Sequence, residues 1–142
     1  MKISCNSEDE TIAIARRFAA TLKQGSVVAL SGELGAGKSF FSRAVMRALG
    51  VTDKALPSPT FAIIQEYSGS DCRVAHMDWY RLEDADEIEM LGVRDYFQPP
   101  WITLIEWPER ARGALPDAVI WVSFSTTGVD SREVDFGGFS FA

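Results

Sequence analysis

The segment Gly32-Glu-Leu-Gly-Ala-Gly-Lys-Ser39 constrains this chain more than any other, because it specifies a strand, a turn and a helix together. It has the form G-x-x-x-x-G-K-S. In front of it, Val27–Leu30 is a short apolar run of strand type. Behind it, Phe41, Ala44, Val45, Ala48 and Leu49 fall on one helical stripe between Lys38 and Leu49, with Gly50 as the stop. Glycines at these positions let the N–H groups of Leu34, Gly35, Ala36, Gly37 and Lys38 converge on one concavity, and the helix start adds partial positive charge. Such a turn suits phosphate. Lys38 is expected to reach the terminal phosphates, and the Ser39 hydroxyl to ligate a magnesium ion.

A metal held beside phosphates calls for an acid at the end of an apolar strand. Two positions qualify. Asp78 closes Arg73-Val-Ala-His-Met-Asp, and Glu106 closes Ile102-Thr-Leu-Ile-Glu. The second strand is the more apolar, so composition favours Glu106, and both acids could serve, one at the metal or its waters and one orienting the attacking water. Thr60, following two prolines, is a candidate hydroxyl near the outermost phosphate. Trp107 stands beside Glu106 and belongs with the candidate site. His76 reads as a hydrogen-bonded strand histidine, and the acidic stretch Glu83–Glu89 as a solvated helix face.

Around this centre the pattern continues as α/β. Ser7 and Glu10 form a capping box ahead of a helix over 8–23 that Gly25 ends. Phe61–Tyr67 and Arg73–Met77 read as strands joined by a Gly-Ser-Asp turn, Asp84–Leu91 as a short helix, and Ile102–Ile105, Val119–Phe124 and Arg132–Phe136 as further strands. The expectation is one P-loop NTPase-like domain over residues 1–142, with three layers and a mixed, mainly parallel sheet flanked by helices.

Composition removes several classes. No apolar run approaches the roughly 20 residues that cross a bilayer, and MKISCNSEDE lacks the apolar core of a signal peptide, which points to the cytoplasm. Two cysteines outside any CxxC pair and one histidine cannot build a Cys/His zinc site. A formal charge of −6 opposes unaided binding to DNA or another long nucleic acid, so any nucleic-acid role would run through a partner. A small-molecule kinase would need an Arg-rich lid, and basic residues are sparse after the second helix. A GTPase would need N/T-K-x-D, which is absent. A nucleotide-dependent interaction module without productive hydrolysis stays open.

Four blocks occur in order: Gly32-Glu-Leu-Gly-Ala-Gly-Lys-Ser-Phe, Pro57-Ser-Pro-Thr-Phe, His76-Met-Asp-Trp-Tyr-Arg-Leu and Ile105-Glu-Trp-Pro-Glu-Arg. With them the chain resembles the bacterial TsaE (YjeE) family, the ATPase of tRNA threonylcarbamoyladenosine biosynthesis, over about residues 8–136. The P-loop is shared by many ATPases, and the H-x-D-x-Y-R and E-W-P-E blocks are the specific part. The resemblance implies ATP and Mg²⁺, with phosphates at Gly35–Ser39 and Ser39 standing where many relatives have Thr. It implies that Thr60 lies in a switch-like loop, that Asp78 and Glu106 are the functional acids with Glu106 at the metal, and that Trp107 edges the nucleotide site. Glu8 and Thr11 align with an adenine-side segment. The tail after Phe124 matches least and lends no support to a nucleotide contact from Ser131 or Arg132. The implied partners are the TsaD and TsaB proteins, with tRNA reached only through that complex and ATP hydrolysis weak until they are present.

Overall fold

A computed structural model describes residues 1–33, 37–59 and 62–141. Leu34, Gly35, Ala36 and Thr60, all candidate site residues, lie outside the described residues.

The described chain forms β1 (Lys2–Cys5), α1 (Glu8–Ala19), β2 (Val27–Gly32), α2 (Lys38–Ala48), β3 (Ile64–Ser68), β4 (Arg73–Asp78), α3 (Ala85–Met90), β5 (Trp101–Glu106), β6 (Ile120–Thr126) and β7 (Arg132–Asp135). Short 3₁₀ segments run through Val93–Tyr96 and Pro108–Ala114. The strands make one sheet in the order β1-β7-β6-β2-β5-β4-β3. β2, which leads into the glycine-rich turn, is therefore the central strand.

β2 pairs parallel with β5 and β6, and β4 pairs parallel with β5. The β3–β4, β6–β7 and β1–β7 pairs are antiparallel. The sheet is thus evenly mixed rather than mainly parallel. The connections explain this: the turns after β3 and β6 are too short for a crossover, so each next strand folds back beside its predecessor. β1 was not anticipated: Lys2-Ile-Ser-Cys5 does alternate, with Lys2 and Ser4 facing outward, but a four-residue edge strand is too short for that alternation to stand out.

The central strands are apolar on both faces, as a sheet covered on both sides requires. Val28, Leu30, Val74, Leu104 and Val122 pack with Ala15 and Phe18 of α1 and with Phe41 and Val45 of α2. Val27, Ala75, Met77 and Ile105 point the other way, onto Ile88, Val93 and Ala111. Three layers result. Among the described residues no helix is long and apolar enough to cross a membrane.

The ends of the elements differ from the sequence reading in informative places. α1 stops at Ala19, not at residue 23, because the N–H groups of Thr21 and Leu22 turn back to carbonyls three residues earlier and the Thr21 hydroxyl donates to the Phe18 carbonyl at 2.6 Å. β3 begins at Ile64, after Ile63 with φ 69°, a left-handed conformation that a β-branched residue adopts only under strain. At the exit of β2, Gly32 has φ 139°, and a Cβ there would lie 2.7 Å from the Phe124 carbonyl oxygen of β6. Only glycine lets the central strand stay paired with β6 up to the turn.

Candidate functional site

The candidate side chains meet at the carboxyl ends of β2, β4 and β5, where ligands bind in open α/β sheets. Period-2 alternation decides which of them face α2. Leu104 packs on the α1–α2 side and Ile105 on the other, so Glu106 returns to the α2 side. By the same count His76 and Asp78 share that face of β4. Asp78 is the direct cross-strand neighbour of Glu106, and His76 that of Leu104.

Glu106 is the hub. It is 3% exposed and accepts a hydrogen bond from the Ser39 hydroxyl, with Oγ 3.0 Å from Oε1 and 3.3 Å from Oε2. His76 Nε2 lies 2.7 Å from Oε2 of the same carboxylate. Burial pushes the Glu106 carboxyl up, but the His76 hydrogen bond and charge, with Ser39 and Lys38, outweigh it and hold the group below the usual carboxylate value. Asp78 is 5% exposed, and its Oδ1 accepts the Tyr80 N–H at 2.9 Å.

Lys38 is nearly as buried. Its Nζ donates to the Gly32 carbonyl at 2.9 Å and stands 3.7 Å from the Trp107 ring centroid. That ring-face contact is a cation–π interaction. Burial holds the ammonium below its ordinary pKa, against the opposing pull of Glu106, Glu109 and Asp78. Trp107 itself has φ 58° and packs on Tyr80 with ring centroids 4.9 Å apart. The tryptophan anticipated beside the acid thus covers the lysine.

Gly37 is the N-cap of α2, with φ 100° and no side-chain cap, and the first turn of α2 contains no acidic residue. The opening N–H groups of such a helix have no intrahelical partner. Arg132 of β7 comes directly against this point: a Cβ on Gly37 would lie 1.9 Å from its Nη1. Arg132 Nε is buried without a hydrogen-bond partner among the described residues. An uncapped helix start, a lysine and an arginine whose Nε has no partner among the described residues come together in one place and form a site that fits an anion. The Ser39 hydroxyl and two carboxylates beside it fit a hard divalent cation. Among the described residues no three His, Cys, Asp or Glu side chains cluster to cage a metal unaided. A Mg²⁺ ion that takes most of its oxygens from phosphate and water needs no such cage.

The proposed adenine-side pair sits near the start of α1. Glu8 is exposed in its first turn. Thr11 is fully buried, its hydroxyl donating to the Ser7 carbonyl at 3.1 Å, which commits that group within the protein. The segment reaches the cradle through the sheet: Cys5 pairs with Arg132 across β1 and β7.

The geometry can be set beside known proteins. A family model described as "Threonylcarbamoyl adenosine biosynthesis protein TsaE" matches residues 5–134. This chain belongs to the TsaE family. Bacillus subtilis (strain 168) has a protein of the family, named tRNA threonylcarbamoyladenosine biosynthesis protein TsaE, that is 41% identical over 128 residues, spanning 90% of this chain and 79% of that protein. The protein of the same name from Rickettsia bellii (strain RML369-C) is 39% identical over 127 residues, spanning 89% of this chain and 88% of that one. A crystal structure of YdiB from Bacillus subtilis superposes with a TM-score of 0.79 at 34% identity, over 94% of this chain and 82% of that one.

Two residues that the structure brings to the candidate site were set aside in the sequence reading: His76, read as a hydrogen-bonded strand histidine, and Arg132, for which the weakly matching tail gave no support. His76 was legible in part, since two residues before Asp78 on one strand means the same face. Arg132 carried no local signal. It reaches Gly37 only because β7 closes the sheet beside β6, a contact set by tertiary topology.

Proposed function

We propose that this chain is a P-loop NTPase that binds and hydrolyses Mg-ATP in the cytoplasm and acts in tRNA threonylcarbamoyladenosine biosynthesis on the TsaD–TsaB complex. The observation that carries the reading is the join between Ser39 and Glu106 at an uncapped helix start, with Lys38 and Arg132 beside it. A metal-bound triphosphate demands an anion and a hard cation held side by side, and these residues suit both.

In this reading Ser39 and Glu106 hold Mg²⁺, and Asp78 orients water or a metal-bound water. When bound, a magnesium ion would supply Lewis-acid stabilisation of the negative charge that develops on phosphate as the terminal P–O bond breaks. His76 fixes the Glu106 carboxylate from behind, as the outer partner of a metal ligand does. Lys38 exchanges its contact with the Gly32 carbonyl for phosphate, and Trp107 keeps water off that ammonium. Arg132 would gain at the phosphates the partner that its Nε lacks among the described residues. The net charge of −6 suits a subunit that leaves tRNA contact to its partners.

Two assays test this. ATP turnover by the isolated chain is expected to be slow and to rise on addition of TsaD and TsaB; a rate unchanged at saturating partners contradicts the assignment. Glu106→Gln is expected to keep nucleotide binding and lose hydrolysis. Full support of tRNA modification by that variant would instead establish a nucleotide-dependent module whose hydrolysis is dispensable.

A further inference from the structure

A second feature lies outside the nucleotide site. Between α1 and α2 runs a groove of about 390 Å³. Its floor is apolar, made by Ile12, Phe40 and Leu56, and its rim carries four cations, Arg16, Arg43, Arg47 and Lys54. None of the described lining residues is acidic. In a chain of net charge −6, four cations around one small groove are a concentration of positive charge against the background.

The spacing is that of two facing helix ridges. Ile12 and Arg16 stand four residues apart on α1, and Phe40, Arg43, Ala44 and Arg47 follow at three, four and seven residues on α2. The third wall is already braced. Arg47 Nη1 donates to the Val51 carbonyl at 3.0 Å and Nη2 to the Lys54 carbonyl at 3.3 Å, which holds its guanidinium and the Lys54 segment in place. Prior ordering of this kind lowers the entropy lost on binding.

We propose that this groove docks an acidic amphipathic helix of a partner protein, its apolar side chains on Ile12, Phe40 and Leu56 and its carboxylates on the four cations. A helix laid into a groove with anchors at helical spacing is a recurrent recognition mode. The apolar floor and short reach favour it over nucleic acid, whose backbone calls for cations along a track and is repelled by the remaining surface. The groove also adjoins the phosphate cradle: the Arg132 guanidinium that lies on Gly37 is 5.8 Å from the Phe40 ring centroid. A partner seated there touches the helix whose first turn forms the nucleotide site. The docking does not depend on ATP being hydrolysed.

Fluorescence anisotropy with the full chain tests the proposal. The probe is a labelled peptide of about 14 residues, roughly four helical turns, with Glu and Leu spaced to segregate on opposite faces. The comparators are a scrambled peptide of identical composition and a single-stranded RNA of similar length. The amphipathic peptide is expected to bind about ten-fold more tightly than either comparator, and more weakly as salt rises. Arg16→Glu combined with Lys54→Glu changes two exposed side chains and is expected to weaken the peptide about ten-fold or more while the melting temperature and ATP turnover stay at wild type. Arg43→Gln is expected to act in the same direction. Equal binding of ordered and scrambled peptides, tighter binding of the RNA, or undiminished affinity in the double variant would each overturn the proposal. Self-association in sedimentation that the double variant abolishes would assign the groove to a second copy of this chain instead.

Discussion

α1 and α2 lie side by side on one face of the sheet, yet their first turns are built in opposite ways. At α1 the Ser7 side chain accepts the Glu10 N–H at 3.1 Å, the Glu10 carboxylate accepts the Asn6 N–H at 3.0 Å, and Glu8, Asp9 and Glu10 set negative charge against the positive end of the helix. That terminus is closed by its own side chains. At α2 a glycine occupies the cap, no acid stands in the first turn, and Lys38 and Arg132 add positive charge where the helix is already positive. Such an end is costly alone and favourable once an anion arrives. The difference shows how one fold separates a stabilising helix start from a binding one: by leaving the second unfinished.

The sharpest way to break this contrast is at Lys38. Lys38→Ala is expected to cut ATP turnover by about 10²- to 10³-fold, the range for losing one charged group at a transferring phosphoryl centre. Steady-state kinetics measure it, and turnover within a factor of about two of wild type would remove the lysine from the mechanism. A smaller effect is expected from Gly37→Ala. The left-handed φ and the overlap with Arg132 together predict a loss of roughly 2 kcal/mol in urea unfolding, with weakened nucleotide binding. Adding Arg132→Ala to that variant is expected to return the part due to overlap and leave the backbone part, so complete recovery would show the glycine conformation to be unimportant.

At the closed terminus the outcome reverses. Ser7→Ala is expected to cost about 1 kcal/mol of stability and leave ATP affinity and turnover unchanged. A loss of affinity there would erase the distinction between the two helix starts. A last prediction concerns acid. The folded-state pKa of Glu106 is depressed, so its ionised form contributes stability that is present above the ordinary carboxylate value of about 4.3 and is lost as pH falls through the lower folded value. Glu106→Gln is expected to flatten that acid limb of the stability profile, and thermal melts across acidic pH would show it. An unchanged slope would mean that the His76, Ser39 and Lys38 contacts do not stabilise the ionised carboxylate.

Much of this was legible in the sequence, for physical reasons that differ between residues. Lys38 and Ser39 were readable because strand, glycine turn and helix are local and contiguous. Asp78 and Glu106 were readable as strand-end acids, since the buried runs before them are short and apolar. The equal mixture of parallel and antiparallel pairs was only half visible: the short turns after β3 and β6 indicate hairpins, but β1 is four residues long and finds β7 from the far end of the chain. Arg132 shows the limit. Its side chain reaches Gly37 from far along the sequence, and no local pattern of charge or hydrophobicity encodes that meeting. The parking of Lys38 on Trp107 and Gly32 was equally hidden, because it depends on a left-handed tryptophan at a strand end.

Backbone amide chemical shifts during titration with Mg-ATP test the open helix start most directly. The account predicts that the N–H signals of Lys38, Ser39 and Phe40 move strongly as phosphate takes up donors the helix leaves free, and that Lys38→Ala weakens the response. Saturating Mg-ATP with those three signals unmoved, in a protein that still hydrolyses it, would contradict the account.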